Sequence, residues 1–295
     1  MKSSVTITLA NNAGFCFGVQ RAVDIAFKLG AQYPGRVFTI GPIIHNPSVV
    51  KLLEEKSVHM VNDLDEVEEG IIIVRSHGLP PAIIEQAKGK GLSIVDATCP
   101  FVKKVQTYAL SLRREGYPVL LIGDREHPEV LAIRGYIEDD ILICQSPRDL
   151  TKLAVPKRLG VVEQTTQDYE NFKAIVLRLL DVVKDLKIYN TICDSTIVRR
   201  QSALKLAKSA DMMIVIGGRN SANTNRLASI CRSVNSKTHL IETADELDRA
   251  WFNGVRKVGI SAGASTPKWL IDDVVSHMDA LVHQEMSRET GDKRS

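Results

Sequence analysis

Two stretches of the chain echo each other: Val119-Leu-Leu-Ile-Gly-Asp-Arg-Glu-His127 and Met213-Ile-Val-Ile-Gly-Gly-Arg-Asn-Ser221. In both, an apolar run of strand length meets a glycine and then a polar turn. Three cysteines keep step with the echo. His45 follows Cys16 by 29 residues, His127 follows Cys99 by 28, and Ser221 follows Cys193 by 28. A second polar strand end comes later in each part, at His77, Thr165 and Ser265, with offsets that drift from 61 to 66 to 72. Self-similarity of this kind restricts a chain to an array of like units. Three modules about a pseudo-threefold axis, each delivering one sulfur to a common centre, is the simplest such array.

The pattern within the units sets the fold class. β-rich runs, among them Val37–Ile40, Ile71–Arg75, Val119–Gly123, Gly160–Glu163 and Met212–Gly217, alternate with helical stretches such as Val19–Leu29, Val102–Arg114 and Tyr169–Lys184. Continuously apolar strands separated by helices predict an α/β protein with mostly parallel, helix-covered sheets. Functional groups then belong in loops beyond the carboxyl ends of strands. The expected modules are 18–98, 99–190, and 191–286 together with 1–17. The polar stretch 287–295 is expected to be a frayed tail.

Composition narrows the partners. A net charge of +3 over 295 residues is too small to point to nucleic acid. Runs such as Met212–Ile216 and Ile71–Val74 are strand-sized and predict no membrane span. No signal peptide is evident at the amino terminus, and five cysteines without dense spacing suit reduced thiols. The expectation is a cytoplasmic protein.

Cys144 and Cys231 lie in apolar runs and read as core thiols. Cys16 (Asn12-Ala-Gly-Phe-Cys-Phe-Gly-Val19), Cys99 (Asp96-Ala-Thr-Cys-Pro100) and Cys193 (Thr191-Ile-Cys-Asp-Ser-Thr196) sit instead in turns. The first is a strand-to-helix turn, where a helix amino terminus favours the metal-ligating thiolate. Core thiols, a zinc site and an iron–sulfur cluster remain open at this point. The paired spacing usual for structural zinc is missing, and three distant thiols better suit a cubane with one open iron. Around them stand His45, His77 and His127. Two polar loops, Gly217–Asn225 and Ser261–Pro267, are suited to cradle anions through backbone N–H groups. Two cradles beside histidines point to a diphosphate.

Asn-x-Ala-Gly-Phe-Cys-x-Gly-Val, Ser-His-Gly, Asp-Ala-Thr-Cys-Pro, His-Pro-Glu, Gln-Thr-Thr, Arg-Asn-Ser-x-Asn-x-Asn-Arg-Leu and Ser-Ala-Gly-Ala-Ser-x-Pro occur in that order from Asn12 to Pro267. In this the chain resembles the 4-hydroxy-3-methylbut-2-enyl diphosphate reductases, iron–sulfur oxidoreductases of the methylerythritol phosphate route to isoprenoids. The resemblance implies a trefoil of α/β modules around a [4Fe–4S] cluster held by Cys16, Cys99 and Cys193. It implies His45, His77, His127, Ser221, Asn223 and Ser265 around the diphosphate, and Thr165 and Glu129 near the departing hydroxyl. Glu129 would supply a proton, with His127 and Thr165 beside it. The open iron would polarise the hydroxyl oxygen as a Lewis acid. Electrons would come from a ferredoxin or flavodoxin, and the products would be isopentenyl and dimethylallyl diphosphates. Ala222 departs from the pattern, since family members often carry a serine there, and this leaves only its N–H as a contact. Quinolinate synthase also builds a pseudo-threefold three-cysteine site, but its motifs are unlike these. A non-catalytic cluster sensor would need the cysteines but neither Glu129 nor two anion loops.

Overall fold

The structure, a computed structural model, describes residues 5–137 and 141–291, with side chains described as far as residue 281. It contains three four-stranded, wholly parallel sheets with helices between the strands. The first sheet runs β3-β2-β4-β5, from β2 (Val37–Ile40), β3 (Val58–Val61), β4 (Ile71–Val74) and β5 (Ser93–Asp96). The second runs β7-β6-β8-β9, from β6 (Val119–Ile122), β7 (Ile141–Cys144), β8 (Arg158–Glu163) and β9 (Asp185–Ile188). The third combines β10 (Met212–Ile216), β11 (Thr238–Ile241) and β12 (Lys257–Ala262) with β1 (Thr6–Leu9) from the other end of the chain. Read from β11, its order is β11-β10-β12-β1, the same winding with β1 in the fourth place.

This shared topology gives each sequence repeat a structural address. The fourth, edge strand of each sheet leads to a cysteine, and a helix starts beyond it: α1 (Phe17–Gln32) after Cys16, α4 (Pro100–Arg114) after Cys99, α7 (Asp194–Ala207) after Cys193. The first strand of each sheet ends at a glycine and leads to His45, His127 or Ser221 just ahead of a helix: α2 (Pro47–Glu55), α5 (Pro128–Ile137) or α8 (Ala222–Arg232). The third strand leads to His77, Thr165 or Ser265. The expected α/β modules with parallel sheets are therefore present.

Packing follows from the strand compositions. Every residue of β6 and of β10 is buried, because helices cover both faces of a central parallel strand. Val105, Ala109 and Leu112 of α4 and Val130 and Ile133 of α5 close over Val119, Leu121 and Val162. Ala203 and Ala207 of α7 and Leu227, Ala228 and Cys231 of α8 close over Met213 and Val215. By backbone contacts the chain divides into two compact units: Met1–Cys16 with His45–Pro47 and Ile197–Ser295, and Phe17–Ile44 with Ser48–Thr196. The first holds the β1-containing sheet and the second holds the other two. The last helix, α9 (Lys268–Gly291), runs into the segment expected to fray; the remainder of that tail, 292–295, lies outside the described residues.

Candidate functional site

Phe17–Ile44 with Ser48–Thr196 brings together Cys99, Cys193, His77, His127, Glu129 and Thr165. Beyond β9 the chain keeps its place beside β8: Tyr189 N donates to Val161 O (2.9 Å), and Cys193 N donates to Thr165 O (2.9 Å). Thr165 in turn holds Glu129. Its N–H and Oγ1 donate to the two carboxyl oxygens at 2.7 and 2.9 Å. Glu129 is 1% exposed. Burial pushes its pKa up to about 7, only partly opposed by the two bonds from Thr165. A carboxyl poised there is protonated in a sizeable fraction of molecules near neutral pH.

The histidines flank this acid. Glu129 N donates to His127 Nδ1 at 3.2 Å, so the neutral ring carries its proton on Nε2, where it serves as a donor. The His77 ring meets that of His127 edge-on, with centroids 5.5 Å apart. Cys99 N donates to Ser76 O at 3.0 Å, which ties the cysteine turn to the residue preceding His77. Gly18, in the first turn of α1, lies against the Cys99 sulfur so closely that a Cβ there would overlap Sγ and sit 3.1 Å from the Cys99 Cβ. Elsewhere in a helix, Gly→Ala gains about 0.5–1 kcal/mol. Here overpacking reverses the sign: Gly18→Ala is expected to cost about 1–3 kcal/mol and to lower iron content. Thermal unfolding and iron analysis check this, and a stabilised, fully loaded Gly18→Ala would show that the contact is not tight.

Met1–Cys16 with His45–Pro47 and Ile197–Ser295 carries Cys16, His45, Ser221, Ala222, Asn223 and Ser265. After β1 the chain turns through Asn12 (φ 60°) and Gly14 (φ 93°). A Cβ on Gly14 would meet Ile271 Cδ1 at 2.9 Å, so glycine is required for both conformation and space. Gly14 O accepts from the buried Arg199 Nη2 (2.7 Å), and Cys16 N donates to Ala264 O (3.2 Å). Ser265 Oγ donates to His45 O at 3.1 Å, and a Cβ on Gly218 would come within 2.9 Å of that same oxygen. The loops after β10 and β12 thus converge on His45.

Ser221 caps α8, its Oγ accepting from Thr224 N at 3.3 Å. This leaves the first-turn N–H groups of Ala222 and Asn223 as the free positive end of the helix. Asn223 is 8% exposed, and its Nδ2 has no hydrogen-bond partner among the described residues. Short hydroxyls, an amide donor and unpaired N–H groups make a cradle for an anion. Ala222 adds no hydroxyl but keeps its N–H.

None of the five cysteines is in a disulfide. Cys144 and Cys231 are wholly buried, and burial pushes both thiols up to about 11, as expected of core cysteines. Cys16 and Cys99 are partly exposed, and Cys193, 9% exposed, has Ser195 Oγ 3.1 Å from its sulfur. Three cysteine thiols at repeat-equivalent helix starts, one of them fitted against a glycine, are a donor set suited to an iron–sulfur group.

One buried carboxyl escaped sequence reasoning. Glu163, the last residue of β8, is fully buried, and burial pushes its pKa up to about 8 against hydrogen bonds from the N–H groups of Thr191 and Ile192. The available signal was an acid ending an otherwise apolar strand, next to Gln-Thr-Thr.

The model of the LytB protein family matches residues 7–279. The 4-hydroxy-3-methylbut-2-enyl diphosphate reductase of Geobacter metallireducens is 50% identical over 272 residues, covering 92% of this chain and 96% of that protein. The same-named protein of Pelobacter propionicus is 49% identical over 275 residues, covering 93% and 98%. A solved structure of (E)-4-hydroxy-3-methyl-but-2-enyl diphosphate reductase, the terminal enzyme of the non-mevalonate pathway, is 44% identical, covers 95% of this chain and has a TM-score of 0.72. The structure of the Plasmodium falciparum E-1-hydroxy-2-methyl-but-2-enyl-4-diphosphate reductase is 30% identical, covers 92% and has a TM-score of 0.87.

Proposed function

The chain belongs to the LytB protein family, and on that premise we propose a residue-level account of the reduction its relatives are named for. The enzyme removes the hydroxyl of 4-hydroxy-3-methylbut-2-enyl diphosphate reductively, the closing step of a non-mevalonate route to isoprenoid precursors. Two electrons and two protons enter, a C–O bond breaks, and water leaves with isopentenyl or dimethylallyl diphosphate. The family is an iron–sulfur family. In our reading the group is a [4Fe–4S] cluster held by Cys16, Cys99 and Cys193, one from each of the modules 18–98, 99–190 and 191–286 with 1–17. When bound, it supplies the electrons and a Lewis-acidic site for the hydroxyl oxygen.

The remaining work falls to side chains. The first-turn N–H groups of α8 with Ser221, Asn223 and Ser265 bind the diphosphate, joined by His45, His77 and His127. Thr165 orients the substrate hydroxyl while gripping Glu129. Glu129, protonated because it is buried, gives up the proton that departs with water. The observation that supports this reading best is the run of bonds from Cys193 through Thr165 to Glu129: a cluster-ligand candidate and a proton-bearing acid share one threonine. A bare redox sensor has no use for that acid. A reduced ferredoxin or flavodoxin as donor fits the one-electron steps. No described helix is long and apolar enough to cross a membrane, and a cytoplasmic setting suits the reduced thiols.

An anaerobic assay tests the reading. Iron-loaded protein, a one-electron reductant and the substrate are expected to yield both C5 diphosphates; a loaded protein that consumes no substrate would leave the sensor reading in its place. For the diphosphate site, Asn223→Ala is expected to raise KM about 10-fold or more, the worth of a hydrogen bond to a charged group. The cluster spectrum should not change. Unaltered KM in both Asn223→Ala and Ser265→Ala would put the diphosphate elsewhere.

A further inference from the structure

After the bond from Tyr189 N to Val161 O, the regular ladder between β8 and the chain that follows β9 gives way to a side-chain lock. In parallel pairing the chain after β9 would continue to exchange main-chain bonds with β8. At Glu163 it does not. Thr191 Oγ1 accepts from Glu163 N at 2.8 Å and donates to Glu163 O at 2.5 Å, so one hydroxyl occupies both main-chain positions. Thr191 N, displaced from the ladder, donates instead to Glu163 Oε1 at 3.3 Å. The second carboxyl oxygen, Oε2, is buried without a hydrogen-bond partner among the described residues, as fits a neutral acid. Main-chain pairing resumes two residues on, where Cys193 N reaches Thr165 O. The lock therefore lies immediately before the one register that sets both Cys193 and the threonine that holds Glu129.

We propose that Glu163 is a positioning residue for the reaction: with Thr191 it fixes the path of the chain into Cys193, and thereby the placement of that sulfur relative to Thr165. The inference rests on the reading of Cys193 as a cluster ligand. It predicts that the lock acts as a unit and that what it needs from residue 163 is a buried carbonyl-type acceptor, not a charge. Groups one step behind metal ligands are worth about 10–100-fold in metal affinity.

The test follows the bleaching of visible absorbance when EDTA is added to anaerobic holoenzyme. Glu163→Gln keeps an acceptor of the same shape and is expected to bleach within about twofold of the parent. Glu163→Ala and Thr191→Val are each expected to bleach at least ~10-fold faster. The double variant should bleach no faster than the quicker single, since two halves of one lock are not additive. Thermal unfolding of the apoproteins is measured alongside, because a merely structural acid lowers the melting temperature without this pattern. Parent-like bleaching in Glu163→Ala, multiplied effects in the double variant, or a glutamine variant as fast as the alanine one would each overturn the proposal. Should Glu163→Ala fail to fold, Thr191→Val and Glu163→Gln alone decide it: both fast, or both slow, overturns it. Iron analysis of Cys193→Ser separates the two levels. Full iron there defeats the ligand reading itself, whereas lost iron with a parent-like Glu163→Ala defeats only the lock.

Discussion

Glu129→Gln is expected to lose at least ~10²-fold in kcat while retaining its iron and binding substrate at near-parent affinity. Glutamine matches glutamate in shape, and its side-chain oxygen still accepts the N–H of Thr165 that now reaches Glu129 at 2.7 Å. Its NH2 can face Thr165 Oγ1 with the hydroxyl turned the other way. The geometry survives, so the ground state should too. What disappears is a proton that can leave. The competing view makes Glu129 a first-turn carboxylate serving only the dipole of α5. That role is worth well under ~1 kcal/mol when exposed, and it does not account for an acid 1% exposed and bonded away from the helix. Turnover within a few-fold of the parent at matched iron content would return Glu129 to that structural role.

The same residue sets a pH dependence whose sign is fixed. Its pKa is raised to about 7 from 4.5, so the proton-bearing form prevails below pH 7 and is lost above it. kcat should therefore fall along an alkaline limb centred near pH 7, and the limb should vanish in Glu129→Gln. Stability runs the same way. With the folded pKa above the unfolded one, the contribution is full below about pH 4.5 and is lost as pH rises to 7. Relative to Glu129→Gln, the parent apoprotein should lose on the order of a few kcal/mol over that window.

Among the described residues the sequence pattern finds every strand but two, β3 and β9. β4, β6 and β10 lie inside their sheets and read as unbroken apolar runs; β2, β8 and β12, also internal, carry Thr39, Arg158 with Glu163, and Lys257 with Ser261, and the edge strands β1, β5, β7 and β11 are legible as short β-rich runs too. The two missed strands, β3 (Val-His-Met-Val) and β9 (Asp-Leu-Lys-Ile), are edge strands whose four residues include a histidine or two charges, which weakens their apolar signal. α2 and α5 both begin at a proline after a histidine turn, and the turn chemistry outweighed the helix behind it. At the site, strand-end spacing was enough to select His45, His127, Ser221 and the three cysteines. The contacts between them were not legible. Ser265 Oγ reaches His45 O across 220 residues, and Thr191 meets Glu163 across 28. Such bonds exist only once parallel strands have chosen neighbours, and no local pattern encodes that choice.

The largest expected effect belongs to the cysteines. Cys16→Ser, Cys99→Ser and Cys193→Ser should each lose most of the iron and visible absorbance, and activity with them, beyond the ~10–100-fold that outer groups around a metal command. Serine is nearly isosteric but is a hard, protonated ligand where iron–sulfur chemistry needs a thiolate. Three ligands that leave one iron open have no spare member, so the loss of any one is felt in full. Cys144→Ser and Cys231→Ser are the matched controls. Both sulfurs are wholly buried with thiols raised to about 11, the opposite of what a ligand requires. Those variants should keep their iron. Cys231→Ser places a hydroxyl in the core between α7 and α8, at about 1–3 kcal/mol if it finds no partner; Cys144→Ser can bond Ser146 O, which the thiol already faces at 3.0 Å, and should cost less. Iron loss in a control with retention in Cys99→Ser would move the cluster to another set of ligands. Loss confined to Cys16, Cys99 and Cys193 would fix one ligand to each edge strand of the three sheets, and with it the reason the chain repeats itself.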